Sequence, residues 1–311
     1  MNPQVEAALI AGIVSLISLG GTVIVASIGF RTTRNVTGST LTEQRTRTLN
    51  ERFATAAEQL GSDKPPAVRL AGVYAMAGLA DDWEENRQTC VEVLCAYLRM
   101  PYERDPGDEA PQPLRLAFRA SHEVRRTVIR VITAHLRDHA ATSWQGLNFD
   151  FTGAVFDGGD FSFVEFSGGT VSFWHAEFSG GLAILFDGAN FSGGEVDFTG
   201  AKFSGEVSFD GAKFSGATVL FDGANFSGGT VHFRERRVEW ADLGGAEFSG
   251  GTVSFRGAKF SGGDVKFDLA QFSGGMVDFS DPGDWSFPPS FPWTDTPPPG
   301  VKLPKEDQST A

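Results

Sequence analysis

The first apolar segment of the chain is a run of 24 uncharged residues from Ala7 to Phe30. A helix of this length covers about 36 Å, enough to cross a hydrocarbon core of about 30 Å. The alternatives are a cleavable signal peptide, which would need a basic n-region in place of Glu6, and a buried soluble helix, which is rarely apolar on every face. The pattern therefore predicts a transmembrane helix that contacts the lipid bilayer through residues 7–30, within an N-terminal anchor of residues 1–35.

Basic residues flank this segment on one side only. The cation before it is the α-amino group, whereas five arginines follow it: Arg31, Arg34, Arg45, Arg47 and Arg52. Because cytoplasmic flanks are enriched in Lys and Arg, this asymmetry predicts a single-pass protein of the cell membrane with its N-terminus outside. The rest of the chain is then expected in the cytoplasm, where Cys90 and Cys95 stay reduced and serve packing.

A helical pattern follows over residues 36–140. The stretch Glu51–Leu60 ends at Gly61, a common helix stop, and Pro65-Pro66 begins the next helix. Apolar stripes at helical spacing then occur in three places: Val68, Ala71, Ala75 and Leu79; Val91, Leu94, Cys95 and Leu98; Val124, Val128, Val131, Ile132 and Leu136. Helices with one apolar face need a partner, so we predict an α-helical domain that packs on itself or on the element after it. Small residues within Arg69–Gly72 would allow close helix approach.

Phenylalanine sets the pattern of the next segment, residues 147–279. Of the 28 phenylalanines in the chain, 23 lie between Phe149 and Phe279. Large apolar residues recur every five positions in two runs: Phe151, Phe156, Phe161, Phe166 and Val171; Phe233, Val238, Leu243 and Phe248. A period of five fits neither a helix nor a strand, but it fits a coil that turns a corner every five residues. Stacked coils about 4.8 Å apart pair as parallel strands, so the pattern predicts a β-solenoid with columns of Phe.

A longer unit is superimposed on this period. From Phe186 to Phe233, and again from Phe248 to Phe279, the intervals mostly alternate between five and seven, which gives a twelve-residue unit FSGGxVxFxGAx. Either the corners of a coil of about 20 residues bulge periodically, or the coil is larger, with about 24 residues. We expect a square cross-section, and the coil length stays open between these two values.

The five-residue units resemble those of the pentapeptide-repeat family, whose consensus is A(D/N)LxX with Leu or Phe at the centre. The segments Ala241–Gly245 and Ala246–Gly250 carry this resemblance. It implies a right-handed, four-sided parallel β-helix in which the central apolar residue points inward and the small residue two positions earlier fits the inner corner. Residues 57–80 are similar to a helical segment that often precedes the repeats in membrane-bound members. The predicted fold class is thus α+β in separate parts: a transmembrane helix, a small α-helical domain and a right-handed parallel β-helix.

The charge of the chain is acidic, with 39 Asp and Glu against 26 Lys and Arg and a formal net charge of −13. Most of the excess lies on residues 148–279, which contain 18 acidic and 8 basic residues. Direct nucleic-acid binding is not expected, because it needs clustered cations. Arg234, Arg236 and Arg237 interrupt the acidic surface beside Trp240, and we consider a partner-binding patch there. The alternative interpretation is that these are ordinary outward-facing charges.

Motifs for catalysis are absent from the sequence, which has no P-loop, no HExxH and no GxSxG. His135 and His139 are spaced i, i+4, as in some metal sites, but without a third ligand nearby a solvated helix face is the better interpretation. We therefore expect no enzymatic activity, no cofactor, no metal and no small-molecule substrate.

A proline-rich tail occupies residues 280–311. Its aromatic residues are too apolar for a free segment, and an open last coil would be an exposed sheet edge. We predict that they partly cap the C-terminal end of the solenoid: Trp285, Phe287, Phe291 and Trp293. The stretch Pro297–Pro304 is interpreted as a plain extended tail rather than a polyproline ligand.

The function that these observations favour is a non-catalytic, membrane-tethered interaction or scaffold protein. It would present an acidic β-solenoid in the cytoplasm to an unidentified protein partner. The alternative, implied by the family resemblance, is a DNA-mimicking regulator that binds a topoisomerase such as DNA gyrase. The anchor and the lack of a C-terminal helix pattern weigh against it. An enzyme hidden in residues 36–140 is a third possibility that no motif supports.

Overall fold

The computed structural model describes residues 36–61, 65–233, 237–238, 241–242, 246–262, 264–267 and 270–304. Its helical part consists of α1 (Val36–Leu60), α2 (Pro66–Asp82), α3 (Arg87–Arg99) and α4 (Gln112–Leu136), with a 3₁₀ turn at Glu84–Asn86. None of these described helices is both long and apolar enough to cross a membrane. The predicted transmembrane helix of residues 7–30 lies outside the described residues.

The end of α1 and the start of α2 lie where the sequence pattern predicts. The N–H of Gly61 donates to the carbonyl of Ala57 directly after α1, and α2 begins at Pro66. A Cβ atom on Gly72 would lie 2.6 Å from the backbone nitrogen of Leu60, so only glycine lets α2 approach the end of α1 this closely. For Gly72, this confirms the close helix approach expected of the small residues in 69–72. The buried faces of the helices contain Val73, Met76, Leu79, Val91, Leu94, Val128 and Ile132.

Short strands make up the rest of the described chain. They are β1 (Phe149–Asp150), β2 (Val155–Phe156), β3 (Gly159–Asp160), β4 (Glu165–Ser172), β5 (Glu177–Phe178), β6 (Ile184–Leu185), β7 (Asn190–Asp197), β8 (Lys202–Phe203), β9 (Val207–Ser208), β10 (Lys213–Phe214), β11 (Thr218–Leu220), β12 (Asn225–Phe226), β13 (Thr230–His232), β14 (Arg237–Val238), β15 (Ala241–Asp242), β16 (Glu247–Ser254), β17 (Lys259–Phe260), β18 (Asp264–Lys266), β19 (Gln271–Asp278) and β20 (Val301–Lys302).

Three parallel sheets run along the molecule. The largest contains β1, β4, β7, β10, β16, β19 and β20, with β11 joined to β7 and β16. The second has the order β17-β12-β8-β5-β2, and the third has the order β18-β13-β9-β6-β3. Because neighbouring strands in each sheet come from successive passes of the chain, the fold is a parallel β-solenoid of about six turns.

The strand register gives the length of each coil. Equivalent valines are 23 to 25 residues apart in regular coils: Val171 pairs with Val196, Val196 with Val219, and Val253 with Val277. A regular coil therefore consists of two twelve-residue units, and a coil of about 20 residues is wrong. The sides of the coil also differ in length, so the expected square cross-section is wrong. Phe198 to Phe203 is a five-residue side, whereas Phe191 to Phe198 is a seven-residue side with Val196 as an additional buried residue.

Phenylalanine rings fill the interior in four columns. Phe198 stacks between Phe173 and Phe221, with a centroid separation of 4.7 Å on each side. The column of Phe198 meets that of Phe209 edge to face, at 6.0 Å and 83°. These are the two arrangements that the aromatic quadrupole favours. Small residues such as the buried Ala201 occupy the corners between columns.

One coil is about ten residues longer than the others. Phe214 pairs with Phe248 in the next coil, 34 residues later. The predicted five-residue run from Phe233 to Phe248 is therefore wrong as a stretch of coil. Phe233 and Phe248 do occupy Phe columns, but Val238 lies in an antiparallel hairpin of β14 and β15, and Leu243 lies outside the described residues. We call this excursion, residues 234–245, the hairpin insertion.

Helices cover the first coil of the solenoid. The guanidinium of Arg137 donates to the carbonyl of Ser162 at 2.9 Å, and that of Arg99 donates to the carbonyl of Asp150 at 2.6 Å. Helices and solenoid share one buried core, and residues 48–311 form one compact unit. The helical and solenoid parts therefore pack together, which is one of the two arrangements expected for the helices from the sequence.

Residues after Phe279 continue the coil. β20 pairs with β19 in the largest sheet. Trp285 meets Phe260 edge-on at 5.2 Å, Phe291 stacks on Phe267 at 5.5 Å, and Trp293 meets Phe272 edge-on at 5.0 Å. Phe287 differs from the expectation for the tail, because it is 56% exposed.

Candidate functional site

The predicted partner-binding patch falls within the hairpin insertion. Arg234, Arg236 and Trp240 lie outside the described residues, and Arg237 begins β14. Phe233 and Ala246 are both buried, and between them the described residues form the antiparallel pair of β14 and β15. Of the four patch residues only Arg237 is described, and its backbone pairs with Asp242 of β15 and not with a neighbouring coil.

The largest sheet presents a surface of short side chains. Its seven-residue sides carry one or two glycines next to rows of mainly polar positions, although Leu220 and Met276 are apolar and Ser254 and Asp278 are buried. By register, one such row contains Thr170, Glu195, Thr218, Thr252 and Met276, and the next contains Ser172, Asp197, Leu220, Ser254 and Asp278. Rows of this kind above a filled interior form a flat polar wall, which suits contact with a macromolecule better than enclosure of a small one.

A five-residue side carries an ion-pair cluster that joins the solenoid to the loop before α4. Glu177 accepts from Lys202 of the next coil at 2.9 Å and from Arg104 of that loop. The hydrogen bond from Lys202, together with the charges of Lys202 and Arg104, lowers the pKa of the Glu177 carboxyl. Because both cations are largely exposed, the cluster orients the loop more than it stabilises the fold.

Arg125 is the buried charge at the junction of helices and solenoid. It is only 4% exposed, and it donates to the carbonyls of Leu98 at 2.9 Å and Val155 at 2.8 Å. Its guanidinium lies 4.3 Å above the ring centroid of Tyr102, whose hydroxyl donates to Asp157 at 2.5 Å. Burial lowers the pKa of Arg125 and raises that of Tyr102. The sequence analysis did not predict a role for Arg125, although a charged residue next to the apolar stripe of α4 indicated one.

Replacing Arg125 with methionine is expected to lower the free energy of unfolding by about 2–4 kcal/mol. Two carbonyls lose their donor, and each buried unsatisfied group costs about 1–3 kcal/mol. Denaturant unfolding of the full chain measures this. Arg126→Met is the matched control, because Arg126 is the exposed neighbour on the same helix. Equal stability of the two variants would contradict a structural role for Arg125.

His135 is held by structural contacts. Its ring stacks on Trp144 at 3.9 Å, its Nε2 lies 3.2 Å from a carboxylate oxygen of Asp81, and its Nδ1 lies 2.7 Å from the carbonyl of Val131. α4 ends at Leu136, so His139 does not continue the helical i, i+4 geometry and is exposed. Among the described residues, no group of three or more His, Cys, Asp or Glu side chains could hold a metal ion.

Cys90 and Cys95 are both buried and unpaired in α3. Burial raises the pKa of Cys90 to about 11 and that of Cys95 to about 12. Since the thiolate is the nucleophile, both are poor nucleophiles at neutral pH.

We expect alkylation of these thiols at pH 7 to be at least about 100-fold slower in the native chain than in denaturant, because the native thiolate fraction is that much smaller. The rate should rise as the pH approaches 11. Mass spectrometry after timed iodoacetamide labelling measures both rates, with Cys90→Ala reporting Cys95 alone. A thiol that reacts equally fast in both states would contradict the burial.

The repeated part of the chain was compared with known proteins. Residues 186–235 match the family model described as pentapeptide repeats (9 copies). This match supports the resemblance of the repeated segment to the pentapeptide-repeat family. Comparison with curated proteins and with solved structures gives no match.

The solenoid of this chain departs from a plain series of five-residue units. Its five-residue sides, such as Phe198–Phe203, follow the family pattern of an apolar residue with a small residue two positions earlier. Its seven-residue sides insert two residues and an additional buried Val, such as Val196. The departure widens the coil and produces the flat glycine-bearing wall of the largest sheet.

Proposed function

We propose that this chain is a non-catalytic interaction protein, tethered to the membrane through residues 7–30, that presents its pentapeptide-repeat solenoid in the cytoplasm to a protein partner. The observation that carries the proposal is the solenoid itself: its interior is filled by Phe columns, and its ends are covered by helices and by the tail. The sides of the solenoid and the hairpin insertion are then the surfaces left for binding.

The hairpin insertion is the proposed docking element. The coils around it repeat at 23 to 25 residues, and this excursion alone lengthens one of them to 34. It carries the three arginines of the patch, Arg234, Arg236 and Arg237, next to Trp240. Arginine and tryptophan are enriched among the residues that dominate interface energies. A basic element on an acidic solenoid favours a partner with an acidic surface and fixes its orientation.

Membrane tethering is supported by the sequence. The run of 24 uncharged residues is long enough to span a bilayer, and the five arginines after it favour a cytoplasmic C-terminal part. A tethered solenoid would meet membrane-associated partners at high effective concentration.

Affinity purification from native membranes tests the interaction. The tagged full-length chain and a form containing residues 31–311 are compared, each with Arg234, Arg236 and Arg237 changed to Glu. The matched control changes three basic residues of regular coils, Lys213, Arg256 and Lys259, to Glu. We expect a partner that is retained by the control, lost from the patch variant, and recovered less efficiently without the span. Retention by the patch variant would remove the hairpin from the proposal.

A second candidate is a DNA-mimicking regulator of a topoisomerase such as DNA gyrase. The excess of 18 acidic over 8 basic residues on the solenoid supports it. The same purification separates the two proposals, because recovery of gyrase subunits by the form without the span would favour the mimic. In that case changing solenoid carboxylates, and not the arginines, should abolish the interaction.

A further inference from the structure

A small cavity in the helical part contains an unusual set of cations. It has a volume of about 150 Å³ and lies between the end of α1 and helices α2, α3 and α4. Its polar lining consists of Arg69, Arg125, Tyr97, Tyr102 and Ser121. The proposed interaction role makes no use of this cavity, and the inference below is independent of that role.

The Nε of Arg69 lacks an acceptor in this cavity. Its guanidinium donates to the hydroxyl of Tyr97 at a long 3.4 Å, and its Nε is buried without any hydrogen-bond partner. An unsatisfied buried N–H, particularly one of a charged group, carries a substantial desolvation cost. Arg69 therefore indicates an acceptor that belongs in the space beside it.

Arg125 adds a second cation that forms no direct ion pair. The ion pairs of the described residues, defined by a cutoff of 4.0 Å, include neither Arg69 nor Arg125. The negative group nearest in the network, Asp157, already accepts from Tyr102 and lies 3.6 Å from His122. Two guanidiniums therefore line one cavity with no carboxylate at ion-pair distance, although the charge of Asp157 still acts on Arg125 from farther away.

We propose that this cavity binds a small oxyanion of the phosphate class, either the free ion or the head of a phosphate monoester. Guanidinium forks match the oxygens of phosphate and bind them strongly. The Tyr97 hydroxyl accepts from Arg69 and keeps its own proton for a ligand, and the Ser121 hydroxyl is a further donor. Such a set of donors suits a tetrahedral ion better than a planar carboxylate.

The size of the cavity sets the ligand class. Its volume of about 150 Å³ is room for one small ion with a few water molecules. It is well below the range of about 300–1,000 Å³ that encloses drug-sized ligands. Whole nucleotides and coenzymes are therefore excluded as enclosed ligands, whereas a phosphate group at the end of a larger molecule is not.

Calorimetric titration of the full-length chain in maltoside detergent and phosphate-free buffer tests the proposal. The ligands are inorganic phosphate, glycerol 3-phosphate and acetate, at constant ionic strength. We expect saturable one-site binding of inorganic phosphate or of glycerol 3-phosphate, and the tighter of the two identifies the free ion or the monoester head. Failure of both to bind, or acetate binding as tightly, would overturn the proposal.

Two variants connect the binding to the cavity. Arg69→Met is expected to weaken phosphate binding by at least about tenfold. Arg130→Met should leave it unchanged, because Arg130 is exposed and also donates to a tyrosine hydroxyl, that of Tyr74 at 3.1 Å. Ser121→Ala provides a milder second variant and should weaken binding several-fold even if Arg69→Met fails to fold. Phosphate binding that is unchanged in the cavity variants would place the ion elsewhere and overturn the proposal.

Discussion

Replacing Phe198 with alanine is expected to lower the free energy of unfolding by about 3–5 kcal/mol, the usual cost of emptying a buried Phe site. The Phe198 ring is fully buried and stacks on a ring of the coil before it and a ring of the coil after it. Its removal leaves a cavity at the centre of a column, and the neighbouring rings cannot collapse into it without shifting two coils. That cost is a large fraction of the roughly 5–15 kcal/mol that stabilises a typical domain.

Denaturant unfolding of the full chain, followed by amide hydrogen exchange, measures this effect. Phe287→Ala is the matched control, because the Phe287 side chain is mostly exposed and should cost less than about 0.5 kcal/mol. Exchange should accelerate first in the strands next to Phe198, since each coil of a solenoid depends on its neighbours. Equal stability of the two alanine variants would contradict the continuous aromatic core.

Replacing Gly194 with alanine is expected to cost about 4 kcal/mol or more, at the upper end of single-substitution effects. Gly194 has φ of +72°, and an added Cβ would lie 2.7 Å from the carbonyl carbon of Gly168. It would be closer still to the carbonyl oxygen of Gly169. Both atoms belong to the backbone of the preceding coil, so the coils would have to separate and break their parallel hydrogen bonds. The positive φ and the close contact with the preceding coil therefore both disfavour alanine at position 194.

Two other glycines separate these causes. Gly223 has φ of +63° with nothing within 4 Å of an added Cβ, so Gly223→Ala should cost only the left-handed backbone penalty of about 1–2 kcal/mol. Gly193 has no positive φ, but its added Cβ would lie 2.5 Å from the carbonyl oxygen of Ser167. Thermal or denaturant unfolding should rank the variants with Gly194→Ala as the least stable. If Gly223→Ala were equally damaging, close stacking of the coils would not be the reason for glycine.

The type of fold follows from the sequence, but the length of its coil does not. A large apolar residue at intervals of five and seven specifies a chain that turns corners and stacks. The number of intervals that closes one turn depends on which residues pair across coils, as Val171 and Val196 do. That register is a long-range property, and no local spacing contains it.

The apolar spacing did not reveal the hairpin insertion, for a similar reason. Val238 stands five positions after Phe233, so an apolar count continues the repeat into a segment that has left the coil. The remainder of the unit gave the better signal. The FSGG motif is missing between Phe233 and Ala246, although Ala241 still stands two positions before Leu243. A repeat is more safely defined by its whole unit than by one apolar position.

The cavity and the Arg125 contacts could not be predicted from the sequence. Arg69 and Arg125 are 56 positions apart, on different helices, and nothing in their local patterns relates them. They come together because Gly72 lets α2 approach the end of α1 and because α4 packs against the first coil. The predicted patch, in contrast, came directly from composition, since three arginines stand out in an acidic segment.

Photo-crosslinking in intact cells tests the central claim, that the hairpin insertion is where a protein partner docks. A photoreactive phenylalanine analogue replaces Trp240 in one full-length variant and Leu220, on the wall of the largest sheet, in the other. We predict that the variant at position 240 yields a crosslinked protein in the membrane fraction and that the variant at position 220 yields much less. Crosslinks that form equally well from position 220, or only from it, would contradict docking through the hairpin.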